Sequence, residues 1–292
     1  MSELAGNKVA CPVCPHRCVI SEGGTGRCRA RGTRNGKNVS LNYGIVSSIA
    51  LDPIEKKPLQ RFFPGSSILS VGSFGCNLNC PFCQNWEISM ADCREFAGDD
   101  NGTASESYIA PDILAEAADK LRNRGNIGVA FTYNEPLIGY EYALDTAKLL
   151  RKMGLKTILV TNGCVNEEIA KQILAYTDAL NIDLKSFRPE IYGDMLGGDL
   201  KAVQRFIELA VERCHVELTT LIVPGMNDSE AEMRDLSGWI ASLTNGEDIP
   251  LHVTRFFPRY RMSGADPTER DTVLRLAAVA QEKLKYVYPG NI

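Results

Sequence analysis

The chain has 292 residues, of which 44% are hydrophobic and 23% charged, and its formal net charge is −4. That balance excludes the disordered, fibrous and collagen-like classes, and it gives no global attraction to nucleic acid or to an anionic membrane surface. No apolar run approaches the roughly 20 residues needed to cross a bilayer, and the opening "MSELAGNKVA" has no apolar leader core, so a cytoplasmic protein without membrane or nucleic-acid partners is expected.

Residues 1–64 are rich in Gly, Arg and Cys and show no regular alternation of strands and helices. They read as a small Cys-rich N-terminal appendage ahead of a larger unit, residues 65–292. Cys11, Cys14, Cys18 and Cys28 stand there in a C-x2-C-x3-C-x9-C pattern. In a reducing compartment, clustered cysteines point to metal or redox chemistry instead of disulfides. Four soft ligands in so short a segment could close a zinc site or hold a second iron–sulfur cluster, with His16 able to replace one of them; reduced, packed cysteines are the alternative. The basic run at residues 27–37 reads as a solvated loop. A phosphate site competes with that reading, although the nearby "GGTG" lacks the Gly-Lys-Ser/Thr of a P-loop.

After residue 65, short apolar runs alternate with amphipathic helical patterns, which predicts βα units around a parallel sheet. The strand candidates are residues 67–74, 127–132, 156–161, 179–185, 215–223 and 251–257. Pro111 opens a helix with an Ile113, Leu114, Ala117, Ala118, Leu121 stripe that Gly125 closes; Gly154 closes the next, and a last helix runs from about Pro267 to Lys285. The fold class expected is α/β, a partial six-unit TIM-like barrel with the N-terminal appendage. Chemistry in such a barrel gathers at the C-terminal ends of the strands.

The first strand runs straight into "GCNLNCPFCQN", where Cys76, Cys80 and Cys83 are spaced C-x3-C-x2-C with no fourth cysteine. Structural zinc wants four closed ligands, and a cubane iron–sulfur cluster normally takes four cysteines. Three leave one iron for a ligand that is not protein; a zinc knuckle with its fourth ligand elsewhere is the competing reading. Cys93, Cys164 and Cys214 are isolated and read as ordinary buried thiols, Cys164 lying nearest the expected mouth.

This loop, with Phe82 before its last cysteine, resembles the signature loop of the radical S-adenosylmethionine superfamily. The resemblance implies a [4Fe-4S] cluster on Cys76, Cys80 and Cys83. It implies S-adenosylmethionine on the open iron, with reductive cleavage to methionine and a 5′-deoxyadenosyl radical. Asn134, Glu135 and Pro136 are similar to the family's Gly-Gly-Glu-Pro segment, with Tyr133 where glycine is common. Phe82, Asn134, Glu135, Thr161, Asn162, Asp183, Lys185 and His252 are the implied cofactor contacts. From the residues alone, Asp183 and Lys185 could equally form an internal ion pair, and His252 could be a packed core histidine. Activating enzymes of the pyruvate formate-lyase type are similar over about residues 67–262. Radical proteins of the AmmeMemoRadiSam system are similar over nearly the whole chain, through "CPHRC", "DPIEKKPL" and "LHVTRFFPRYRM". Val160 and Thr219 depart from the acidic residue and the arginine that activating enzymes often carry there. A protein substrate, with a glycyl radical enzyme among the candidates, and a flavodoxin- or ferredoxin-type one-electron donor are implied partners. A metal-binding scaffold without turnover is the competing function.

Overall fold

Strands of alternating direction and burial build the N-terminal part, and the computed structural model describes residues 8–92 and 107–292 of the chain. Residues 1–7, where no apolar leader was expected, and Cys93 lie outside the described residues. Val9–Ala10 (β1) and Val19–Ile20 (β2) pair antiparallel, as do Arg31–Arg34 (β3) and Lys37–Ser40 (β4). The second pair corrects the solvated-loop expectation for residues 27–37. Asn35 and Gly36 both take positive φ (53° and 68°), so the Asn-Gly step makes the tight turn of a β-hairpin. Arg31 is 3% exposed, and its guanidinium forks onto Glu141 at 2.7 and 2.8 Å.

The main sheet has eight strands. Ser48–Pro53 (β5) forms one edge, antiparallel to Ser67–Gly72 (β6). Asn126–Phe131 (β7), Lys156–Thr161 (β8), Ala179–Asp183 (β9), His215–Ile222 (β10), Leu251–Arg255 (β11) and Val287–Gly290 (β12) follow, every pair from β6 onward parallel. The helices are the short Trp86–Ser89 (α1), then Pro111–Lys120 (α2), Tyr140–Lys152 (α3), Glu167–Leu174 (α4), Leu200–Val211 (α5), Glu230–Ala241 (α6) and Arg270–Gln281 (α7). From α2 onward each covers the sheet with an apolar stripe. In α5 the stripe is Leu200, Val203, Phe206, Ile207 and Ala210, and Asp199 caps the start by accepting from the amides of Lys201 and Ala202. The six expected strands are all present, ending within a few residues of the expected limits.

The sheet is an α/β partial barrel: β5 and β12 are its ends, and they do not pair with each other. Outer-facing Leu69 and Val71 pack with Leu114, Ala115 and Ala118 of α2 in the main core. Inside, Ile68, Ala130, Ile158 and Ala179 close over Ile54 and Leu59 from the β5–β6 connection. That connection plugs the N-terminal end. Pro58 O accepts from Asn181 Nδ2 at 2.9 Å, and the amides of Gln60 and Arg61 donate to Glu217 at 3.0 and 2.7 Å. The Arg61 guanidinium lies 3.6 Å from the centre of the Tyr286 ring, just ahead of β12. A division at residue 64 would therefore fall between two hydrogen-bonded strands of one sheet. Among the described residues no helix is long and apolar enough to cross a membrane.

Candidate active site

The loop from Ser73 to Asn85 leaves β6 at the C-terminal mouth and is held from several sides. Gly75 has φ 85°, and a Cβ there would stand 2.6 Å from Cys28 O and 2.8 Å from Ala30 Cβ, so the loop can pass under the N-terminal segment only as glycine. Asn134, just beyond β7, grips the loop's start: its Oδ1 accepts from Ser73 N at 2.9 Å, and its Nδ2 donates to Phe74 O and Gly75 O, both at 3.1 Å. Asn162, just beyond β8, donates to Asn77 Oδ1 at 3.0 Å and approaches Cys76 Sγ at 3.7 Å. Asn77 in turn donates to Cys164 O at 2.6 Å. Pro81 O accepts from Arg261 N at 3.0 Å, and Trp86 stacks on Tyr260 at 5.2 Å, so the segment after β11 closes the far side.

Glu135 is 3% exposed and fully partnered. Its Oε1 accepts from Leu137 N (2.9 Å) and Thr161 Oγ1 (2.6 Å), and its Oε2 from Asn162 N (2.8 Å). Burial pushes its carboxyl up to about 7 against those three donors. It ties the ends of β7 and β8 together beneath the cysteine loop. Asp183 ends β9, and Lys185 Nζ meets its Oδ2 at 2.8 Å, so the internal ion pair is present. Burial lowers the Lys185 ammonium's pKa, but the Asp183 carboxylate and the neighbouring Cys80 outweigh it and raise the group above its ordinary value. Phe82 is buried in the main core between the last two cysteines of the loop.

His252 takes a different place. It is the second residue of β11, and its Nε2 lies 2.7 Å from Glu217 Oε2, among the inward-facing groups above the plug. Glu217 also meets His215 Nε2 at 3.0 Å. The structure thus gathers Phe82, Asn134, Glu135, Thr161, Asn162, Asp183 and Lys185 around the loop at the strand ends, while His252 is engaged with Glu217 as a core residue would be.

The donor set suits the cationic core of an iron–sulfur cluster. Burial, followed by the Glu135 carboxylate, holds the Cys76 thiol well above its ordinary value, and burial pushes Cys80 up to about 11. Thiols so placed become thiolates only beside added positive charge, which iron supplies. The Leu78 amide already donates to Cys76 Sγ at 3.4 Å. Among the described residues no three Cys, His, Asp or Glu side chains are arranged for a single ion. A cubane takes its thiolates on separate iron corners, so its cysteines need not converge on one point.

One contributor that sequence reasoning missed is Tyr133. Its φ is 73°, a backbone region suited to the glycine common there, and its ring packs over Gly72, where a Cβ would stand 2.8 Å away. From there the hydroxyl reaches Asp52 Oδ2 at 2.9 Å inside the barrel, where Lys57 Nζ meets the same oxygen at 3.0 Å. Asn85 Nδ2 holds Tyr133 O at 2.8 Å. The tyrosine in a glycine position was the only sequence signal for this link.

Comparison with known proteins bears on this geometry. The family model of the Radical SAM superfamily matches residues 70–236. An uncharacterized protein of Methanocaldococcus jannaschii is 35% identical over 292 residues, covering 99% of this chain and 83% of that protein. The pyruvate formate-lyase 1-activating enzyme of Escherichia coli is 23% identical over 222 residues, covering 71% of this chain and 86% of that enzyme. Among solved structures, QueE from Escherichia coli is similar in fold, with a TM-score of 0.50 at 13% identity over 84% of this chain and 92% of that one.

Proposed function

The chain belongs to the Radical SAM superfamily and is a radical SAM enzyme, and from that premise we propose that Cys76, Cys80 and Cys83 hold its catalytic [4Fe-4S] cluster. Membership implies the cluster and S-adenosylmethionine; the residues that bind them are part of the proposal. When bound together, the two supply one-electron cleavage of the sulfonium to methionine and a 5′-deoxyadenosyl radical that abstracts hydrogen from a substrate.

The observation that carries the reading is the placement of three buried or half-buried thiols on one strand-end loop that Asn134 and Asn162 brace, with Glu135 tying the strand ends beneath it and the Asp183–Lys185 pair at the neighbouring strand end. Asn134 and Asn162 set the loop's shape, so their role toward the cluster is positional. Glu135 receives amide and hydroxyl donors in the site, and Asp183 with Lys185 offers an ion pair at the mouth that a charged ligand can rearrange. We assign Glu135, Thr161, Asn162, Asp183 and Lys185 to S-adenosylmethionine binding, with Phe82 walling the loop. His252 is assigned to the barrel interior on the strength of its bond to Glu217.

The further parts of the reading rest on resemblance. A protein substrate, glycyl radical enzymes included, and a flavodoxin- or ferredoxin-type electron donor follow from the likeness to activating enzymes. The likeness to AmmeMemoRadiSam radical proteins rests on the motifs quoted above. We place the N-terminal unit before residue 48, since β5 belongs to the main sheet.

Replacing any one of Cys76, Cys80 and Cys83 with Ala is expected to remove iron from this loop and abolish 5′-deoxyadenosine formation in anaerobic assays with a reductant. Wild-type levels of 5′-deoxyadenosine in any one variant would refute the assignment and favour a scaffold without turnover. Asp183→Asn is expected to keep the brown colour while S-adenosylmethionine affinity falls about ten- to a hundredfold, the loss of one charge-assisted hydrogen bond. Equilibrium binding to reconstituted protein checks this, and an unchanged affinity would return the pair to a purely structural role.

A further inference from the structure

We infer that the N-terminal segment holds a second, all-cysteine iron–sulfur cluster, on Cys11, Cys14, Cys18 and Cys28, separate from the loop of Cys76, Cys80 and Cys83. Two antiparallel pieces, β1–β2 and β3–β4, fold these four residues around one cavity that all four line, together with His16 and Arg31. Cys11, Cys14 and Cys28 are 5%, 7% and 5% exposed. A wall of free thiols around an internal cavity has no packing rationale of its own, because apolar side chains of equal volume would fill the space.

A backbone amide already points at one of the sulfurs: the Arg27 amide donates to Cys18 Sγ at 3.5 Å. The Leu78 amide stands in the same relation to Cys76 Sγ in the radical loop, at 3.4 Å. Such donors favour thiolate over thiol and are one of the levers that tune iron–sulfur clusters. The lining side chains include Arg27 and Arg31 and no carboxylate, which suits an anionic thiolate cluster.

Four cysteines lining one cavity can close on a zinc ion or on a cluster, and the zinc arm of the test separates the two. The site also abuts the radical loop: His16 Nε2 lies 3.0 Å from Asn77 O, and Gly75 passes against Cys28 O.

The test is anaerobic reconstitution of the full chain with iron and sulfide, zinc being offered in a parallel arm, followed by metal and sulfide analysis and electron paramagnetic resonance after reduction. Wild-type protein is expected to hold about eight iron and eight sulfide, and the variant with Cys76, Cys80 and Cys83 all changed to Ala about four of each, with a reduced [4Fe-4S] signal that S-adenosylmethionine does not perturb. The Cys14→Ser/Cys28→Ser variant is expected to retain about four iron on the radical loop. A single cluster in the wild type with no iron in the triple variant overturns the proposal. Zinc displacing iron from the triple variant overturns it equally. Should the double variant fail to fold, the wild-type and triple-variant iron counts still decide. Because the triple variant reads the second site alone, failure here is distinguishable from failure of the radical-loop assignment, which is read by 5′-deoxyadenosine.

Discussion

Glu217 shows how one side chain can organise a barrel's interior without touching its mouth. Burial favours its neutral form, yet hydrogen bonds from His215 and His252 and from the Gln60 and Arg61 amides outweigh that and bring the carboxyl down to about 2 from an ordinary 4.5. A depressed carboxyl contributes stability that is present above its unfolded value and lost as pH falls through its folded one. The window is therefore pH 4.5 to about 2, and the contribution is about 3 kcal/mol. Denaturant titrations of the cluster-free chain are expected to show wild type losing its advantage over Glu217→Gln across that window; a constant gap would mean the carboxylate is not held by these donors. At this scale the sequence was most legible where spacing itself carries chemistry. The C-x3-C-x2-C spacing singled out Cys76, Cys80 and Cys83 and "YNEP" singled out Glu135, and the fold brings all four to neighbouring strand ends. The bond between His252 and Glu217 was not legible, because it joins residues 35 positions apart and Glu217 is held in turn by the amides of residues 60 and 61. Pairings between distant segments leave no local pattern to read.

The elements divide along the same line. The six inner parallel strands were readable from length, apolarity and the helices between them, since a strand covered on both faces must be uniformly apolar. Both edge strands escaped, and for a physical reason: β5 ends in Pro53 and β12 carries Pro289 and Gly290, residues that argue against a strand anywhere except at an edge. The β3–β4 hairpin escaped because its charges drew attention from the Asn-Gly turn. At the β5 edge, Asp52 receives Lys57 at 3.0 Å, Lys56 at 3.2 Å and the Tyr133 hydroxyl at 2.9 Å, with Lys57 3% exposed. Removing Asp52 leaves the buried Lys57 ammonium without its carboxylate. Asp52→Leu is thus expected to cost about 3–5 kcal/mol in urea unfolding, while Lys57→Met combined with Asp52→Leu should recover most of the loss. A double variant no more stable than the single one would show that the pair is not coupled.

For the whole molecule, the N-terminal segment and the sheet act as one body around the cysteine loop. Residues 28 and 30 press on Gly75, His16 meets Asn77, and the Asn166 amide donates to Val13 O at 3.0 Å. Little of this could be anticipated, since composition alone separates the Cys-rich segment from the barrel and says nothing about where it docks. The guanidinium stacked on Tyr286 has a consequence beyond local packing. A cylinder whose two ends are not stitched by backbone bonds keeps its circumference by whatever ties them across the gap, and here the tie is a short strap at the floor running from beneath β5 and β6 to the start of β12. Loosening the strap would let the last stave swing and widen the aperture overhead without altering any residue that lines it. Arg61→Ala is accordingly expected to speed hydrogen exchange at residues 287–290 ahead of the inner strands, and exchange unchanged there would show that the strap bears no such tension.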